Sequence, residues 1–333
     1  MEPLKVGLIG TNFGRQLAVS GVGNGSIELK ACFSLDPDAG REFAEEFSCD
    51  CCASVGELIG RDDIEAVLIA APNHEHSSLA WQAASNGKHV FVDKPISNTI
   101  AEASEMITFC RNAGVKLCVG HNSRFCGSFS KIRDLIKEGR IGRPICVECH
   151  CGSANVFDIP PGNWRRSEST CPSLALIQMG IHQIDTMRTI LGEVLSVSAH
   201  FENVMVQMPN PDFNATILEF DSGATAMMAN SYIHNDFYTI WHGSEGILRY
   251  MSWPDEGRIE RLDAAGHVDE NDHWIEFESV DSLGYELRDF QCAVREDREP
   301  TVNGEEGLKS LLPVAAAVES DRVGRRVFID ELV

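Results

Sequence analysis

No run of about 18 uninterrupted apolar residues occurs in the chain, which excludes a membrane-spanning helix on length alone. Basic residues are scarce: 28 Lys plus Arg stand against 50 Asp plus Glu, a formal charge of −22. A surface this acidic repels phosphate backbones and anionic lipid, so neither nucleic acid nor membrane is an expected partner. Any anionic cofactor must then be held by local backbone donors, against the overall field. The opening Met1-Glu2-Pro3-Leu4-Lys5 does not resemble a signal peptide, and a cytoplasmic location is expected. The twelve cysteines also lack the layout of a metal site. Cys49, Cys51 and Cys52 are not the paired Cys-x-x-Cys arrangement of bound zinc, and Cys146, Cys149 and Cys151 alternate along a strand-like run, so they cannot all face one side. No metal is expected, and the cysteines read as reduced, small, buried hydrophobes.

What is present is an ordinary soluble balance, with 43% hydrophobic and 23% charged residues in 333. That length predicts two domains. Up to about residue 121, short apolar runs alternate with helical patterns. Leu4–Ile9, Ile27–Phe33, Ile64–Ala71, His89–Val92 and Val115–Val119 read as strands, several of them apolar throughout. Asp36-Pro37, Ser54 with Glu57, and Thr99 with Glu102 are helix starts, while Gly87 and Gly114 mark stops. Such alternation predicts a doubly wound parallel sheet of the Rossmann type in residues 1–122. Beyond it, helical character near 129–137, 174–191 and 304–321 brackets alternating strands such as Ala215–Phe220 and Ala224–Ser231. Residues 123–333 are therefore expected to form an α+β domain on a large, open, mostly antiparallel sheet.

The first strand runs into Gly10-Thr11-Asn12-Phe13-Gly14 and then a helical pattern. A dinucleotide's pyrophosphate needs such a tight turn, with backbone N–H groups at a helix N-terminus. The middle glycine of the usual fingerprint is replaced by Asn12, a residue that tolerates left-handed angles. At the end of the second strand, where an acidic residue would hold the ribose of NAD, stands the small, uncharged Ser34. It leaves room for a 2′-phosphate, although no Arg follows and Asp36 is near. NAD and NADP both remain open, with a slight lean to NADP.

Three further segments carry a family resemblance: Ala71-Pro72-Asn73-His74-Glu75-His76, Asp93-Lys94-Pro95, and Trp164-Arg165 ahead of Gln178-Met179-Gly180-Ile181-His182-Gln183-Ile184-Asp185. Together they resemble the Gfo/Idh/MocA oxidoreductases, among them glucose–fructose oxidoreductase and the inositol dehydrogenases. The resemblance runs from the glycine turn to Gly304–Gly307 near the end. It implies a Rossmann domain joined to an open-sheet domain, and hydride transfer at a hydroxyl or keto carbon of a sugar, cyclitol or related ring. Position by position, it implies that Lys94 touches substrate hydroxyl and nicotinamide ribose, that His182 is a general acid/base, and that Asp185 contacts substrate hydroxyls. It further implies that Asn73 and His76, with Ala71 and Pro72, lie along the cofactor beside Asp93 and Pro95, and that Arg124, Trp164 and Arg165 lie near substrate. His121, with Cys118 and Asn122 at the end of the last Rossmann strand, stands where the ligand crevice of such sheets opens.

One position departs from the family pattern: Gln178 stands where an aspartate is usual. On a regular helix Gln178, His182 and Asp185 would share a face at i, i+4 and i+7. A neutral Gln can only orient His182, so Lys94 or Asp185 should carry more of the proton transfer. Two other functions fit the same residues. One is a cofactor-recycling enzyme that cleaves glycosides by oxidation and elimination; the other is a non-catalytic dinucleotide or sugar sensor, which Gln178 supports. Strand Ala224–Ser231 is apolar on both faces, so one face should meet another copy of the chain in a homodimer or homotetramer.

Overall fold

Six short strands carry the first part of the chain: β1 Leu4–Ile9, β2 Ile27–Phe33, β3 Asp50–Cys51, β4 Ala66–Ile69, β5 His89–Asp93 and β6 Leu117–Gly120. β4 and β6 are buried at every position, as strands covered on both faces must be. All neighbours pair in parallel, in the order β3-β2-β1-β4-β5-β6. The chain winds outward from β1 to β3 and then crosses to β4. The ligand crevice of such a sheet therefore lies between the carboxyl ends of β1 and β4. Between strands run α1 Thr11–Gly23, α2 Pro37–Phe47, α3 Val55–Ile59, α4 His76–Ser85 and α5 Ile100–Ala113. Their starts are fixed chemically. Asp36 accepts from the N–H groups of Asp38 and Ala39, Ser54 Oγ from that of Glu57, and Thr99 Oγ1 from that of Glu102.

The computed structural model describes residues 1–252, 255–261 and 273–333. After α6 Gly127–Lys137 come β7 Pro144–Gly152, a π-helical turn over Leu176–Gly180 and α7 Ile181–Leu191. Strands β8 Val194–Glu202, β9 Phe213–Phe220, β10 Thr225–Ser231, β11 Asp236–Gly243, β12 Gly246–Ser252, β13 Asp255–Arg261 and β14 His273–Ile275 follow. Helices α8 Ser282–Arg295 and α9 Gly304–Val323, then β15 Val327–Phe328, close the chain. The second sheet has nine strands in the order β14-β13-β12-β11-β7-β10-β9-β8-β15. Its pairs are antiparallel except β7 with β10. One face of β10 is buried through Ala226, Met228 and Asn230, whereas Met227 on the other is nearly half exposed.

Two compact units result: Met1–Phe125 with Asp281–Leu308, and Cys126–Val280 with Lys309–Val333. A single division after residue 122 does not describe this return of the chain. α8 inserts Leu287 and Phe290 into the core of the first unit, with the Phe290 ring 5.9 Å from that of Phe91. Val302 then accepts from the N–H of Val119 at 2.9 Å, giving β6 an outer neighbour. The expectation of one regular helix over 174–191 also needs correction, because Leu176–Gly180 takes i→i+5 bonding.

Candidate functional site

In the first unit the crevice is built on Gly10. It adopts φ +94°, which an L side chain rarely takes, and a Cβ there would lie 2.4 Å from the carbonyl oxygen of Ala70. Only glycine lets the turn after β1 lie this close to the end of β4. No side chain caps α1, whose first residue is the buried Thr11, so its leading N–H groups are left for an anion. A Cβ on Gly14 would meet Leu8 at 2.8 Å, so this glycine seats the helix on the sheet. Asn12 is exposed and Phe13 packs against the core. Thr11 Oγ1 donates to Ser34 Oγ at 3.1 Å, which places Ser34 beside the glycine turn.

The loops after β4 and β5 are tied together by His76. Its fully buried ring sets Nδ1 2.8 Å from the carbonyl oxygen of Pro95 and Nε2 2.9 Å from that of Ala71. Burial pushes this imidazole down to about 4, against the pull of the two carbonyls, and the ring braces Ala71-Pro72 against Asp93-Lys94-Pro95. The ring of His76 is thus committed to the protein rather than presented to a ligand. Asn73 is buried with its Nδ2 lacking a partner, an orphan donor in the same loop. Lys94 is half-buried. Asp93 pairs with Gly120 across β5 and β6, and a Cβ at 120 would stand 3.1 Å from Asp93 Oδ1. His121 follows immediately and is fully buried. Arg124 Nη2 donates to Glu306 Oε2 at 2.8 Å in a largely buried ion pair, so a carboxylate from α9 holds its guanidinium.

The second unit gathers the remaining candidates into two groups. Asn210, fully buried, donates to the carbonyls of Arg165 and Cys171 at 2.7 and 2.5 Å and accepts from the N–H of Leu174 at 3.1 Å. It thereby pins the Trp164-Arg165 segment to the approach of the π-turn. Arg165 lies over the Trp164 ring, 4.5 Å from its centroid, and its buried Nε has no partner. Gln178 Nε2 donates to Cys171 Sγ at 3.5 Å, which brings Gln178 into this group. Nearby, burial pushes the Tyr232 phenol up to about 12, with Arg165 pulling the other way. His182 is half-buried at the start of α7.

Asp185 belongs to the other group. It is fully buried and accepts from Ser310 Oγ at 2.7 Å, with Arg188 Nη1 3.8 Å away. Arg188 in turn donates to Ser310 Oγ and twice to Glu193. The π-turn breaks the regular spacing on which a shared face for Gln178, His182 and Asp185 depended. Its cause is packing: a Cβ on Gly180 would lie 2.6 Å from Asn230 Oδ1, so the turn rests directly on β10. Asn230 Nδ2 donates to Asn214 Oδ1 at 2.9 Å, a buried amide pair beneath the turn. Asn210, Tyr232, Asn230 and Glu306 escape sequence reasoning. A buried Asn within an apolar strand, as at Asn230, is the one signal that was available. Among the described residues, no helix is long and apolar enough to cross a membrane.

A glycine at the switch point of a doubly wound sheet, an uncapped helix behind it, and a second unit on a nine-stranded open sheet define the class of two-unit, dinucleotide-binding oxidoreductases. Residues 4–121 match the oxidoreductase family with an NAD-binding Rossmann fold, and residues 129–249 match the C-terminal domain of the same family. The chain belongs to the Gfo/Idh/MocA family. It is 27% identical to 1,5-anhydro-D-fructose reductase of Ensifer adhaerens, over 97% of this chain and 98% of that protein. It is 28% identical to myo-inositol 2-dehydrogenase of Thermotoga maritima, over 83% of each. A crystal structure from Desulfitobacterium hafniense, described as an NADPH-dependent oxidoreductase, superposes with a TM-score of 0.93 at 28% identity, covering 100% of this chain and 99% of that one.

Proposed function

We propose that this protein transfers hydride between NAD(P) and a hydroxyl or keto carbon of a sugar, cyclitol or related polyhydroxylated ring. The observation that carries the reading is the Gly10 crevice. Its close approach to Ala70, the uncapped α1 and the orphan Asn73 amide suit a dinucleotide held by backbone and amide donors. When bound, the nicotinamide supplies the hydride chemistry, and the protein supplies orientation and proton handling. Gly10, Thr11, Asn12, Phe13, Gly14, Ser34 and Asn73 would hold the cofactor. Ser34 favours NADP: it is neutral, and the nearby Asp36 carboxylate is turned to the N–H groups of α2.

In this reading Lys94 and His182 share the substrate's hydroxyl proton, with Lys94 the more necessary. Gln178 cannot charge-stabilise His182 and is itself engaged with Cys171. Asp185, whose Oδ1 accepts from Ser310 and faces the Arg188 guanidinium, positions α7 rather than moving a proton. Arg165 has an uncommitted buried Nε suited to a substrate oxygen, and Trp164 gives the ring an apolar surface. The exposed face bearing Ile217, Met227 and Met251 would pair with a second copy of the chain in a dimer or tetramer. Twelve free cysteines suit a reducing, cytoplasmic setting. The test is absorbance of reduced nicotinamide with NAD⁺ and NADP⁺ against a panel of sugars and cyclitols. The reading expects turnover with at least one ring; tight cofactor binding without turnover on any ring points instead to a sensor.

A further inference from the structure

A second cluster of ligating side chains lies on the nine-stranded sheet, on the face that carries Met227 and Met251 and opposite the one on which the π-turn rests. His150 on β7 pairs with Ala229 of β10 and with Tyr238 of β11, so it shares their side of the sheet. Asn230, on which the π-turn rests, is on the other side. Asp236 opens β11 opposite Gly152, and His234 lies in the short connection from β10. One ligand atom from each of His150, His234 and Asp236 lies within 4.8 Å of the other two.

The local structure anchors His150 and the backbone of the connection that carries the other two. The His150 ring stacks between His234 and Tyr238, with centroids 5.3 and 5.8 Å away and planes within 22° and 19° of parallel. Asn235 Oδ1 accepts from the N–H of Ala154 at 2.8 Å and anchors the connection. A Cβ on Gly152 would lie 2.5 Å from the carbonyl oxygen of His234 and 3.1 Å from His150 Nε2. Glycine at 152 therefore lets the connection cross directly over β7 and leaves space beside that nitrogen. Nε2 of His150 is buried and has no hydrogen-bond partner. An orphaned buried nitrogen pays for its lost hydration, and a cation in the space beside it would recover that loss.

We propose that His150, His234 and Asp236 form a binding site for one divalent transition-metal ion of the zinc class. Two imidazoles and one carboxylate are the donor set of zinc and its neighbours, whereas calcium and magnesium require mostly oxygen ligands. Zinc bonds to such ligands are about 2.0–2.2 Å long, and three protein ligands leave a fourth position for water. His234 and Asp236 are exposed, so their side chains can close the remaining distance by rotation. The chain's charge of −22 draws cations to its surface. Because the ion would bind on the face turned away from Gln178, it would cross-link β7 to the β10–β11 connection rather than take part in hydride transfer.

The test uses the full chain, stripped with chelator and titrated with Co²⁺, whose visible absorption reports tetrahedral coordination, followed by displacement with Zn²⁺. One equivalent per chain should bind. His234→Ala and Asp236→Asn should each weaken binding at least tenfold, since even outer-shell losses cost about 10–100-fold. Both replaced residues are exposed, so the variants should keep the circular dichroism of the parent. Zn²⁺ should raise the melting temperature of the parent and not of the variants. Cys51→Ser, at an exposed cysteine, should leave the titration unchanged. Absence of tetrahedral binding, affinity unaltered in both ligand variants, or a thiolate charge-transfer band abolished by Cys51→Ser would each overturn the proposal.

Discussion

Replacing Gly10 with alanine should damage the protein more than any other glycine-to-alanine change in the turn and helix that follow β1. The residue holds φ +94°, and sparsely populated backbone regions cost an L side chain about 1–3 kcal/mol. The new Cβ would also fall 2.4 Å from the Ala70 carbonyl oxygen, an atom fixed in the backbone at the end of β4. Moving two parallel strands apart to relieve that contact adds overpacking of about 1–3 kcal/mol. The sum, about 2–6 kcal/mol, is a large share of the roughly 5–15 kcal/mol that stabilises a typical domain. Gly14→Ala meets only the branched end of Leu8, which can rotate, so about 1 kcal/mol is expected. Gly23→Ala, in open space at the end of α1 without a positive φ, should stabilise by about 0.4–1 kcal/mol. Urea denaturation followed by circular dichroism should rank the three in that order, and cofactor binding should weaken in Gly10→Ala but not in Gly23→Ala. A Gly10→Ala protein with the parent's urea midpoint would refute the reasoning.

Three further outcomes are expected. Glu65 is held down to about 2, chiefly by its hydrogen bonds from Arg295. A depressed folded-state value means stability that is complete above the unfolded value near 4.3 and lost as pH falls from about 5 to about 2. Because Glu65 remains about a third exposed, screening leaves about 1 kcal/mol, and Glu65→Gln should lose that much at pH 7 and nothing near pH 2 in acid-unfolding curves. Asn210→Ala strands two carbonyls and an N–H in a buried site, so it should cost at least about 2 kcal/mol and raise KM by loosening the Trp164-Arg165 segment; an unchanged KM would contradict that link. Ser34→Asp sets a carboxylate where the 2′-phosphate of NADP would lie and should weaken NADP markedly while sparing NAD, as fluorescence titration of both will show.

How legible each part was depended on whether its cause is local. β1 and β2 stand where the apolar runs Leu4–Ile9 and Ile27–Phe33 place them, because strands buried on both faces leave a direct hydrophobic record. Caps at Asp36, Ser54 and Thr99 were equally readable, since a side chain and its N–H partner lie within three residues. The π-turn was not, because its bonding follows from the close seat of Gly180 on Asn230, fifty residues downstream. Nor was the return of Asp281–Leu308 to the first unit, which depends on pairing Val119 with Val302. At the site, Gly10 and Gln178 were visible as residue types. The commitments of His76 to two carbonyls and of Asp185 to Ser310 and Arg188 were not, since nothing local in the sequence records a partner that distant.

The central claim is that Lys94, with His182 in a secondary role, moves the hydroxyl proton during nicotinamide-dependent hydride transfer. It is tested most directly by turnover against pH for Lys94→Ala and His182→Ala on an active ring substrate, with cofactor binding measured separately. A well-placed acid or base is worth about 10²–10⁴-fold in rate. Lys94→Ala should lose close to the upper end of that range while still binding cofactor, and His182→Ala should lose less. An inactive His182→Ala protein beside a Lys94→Ala protein that keeps most of its turnover would contradict the account and leave Lys94 as an anchor only.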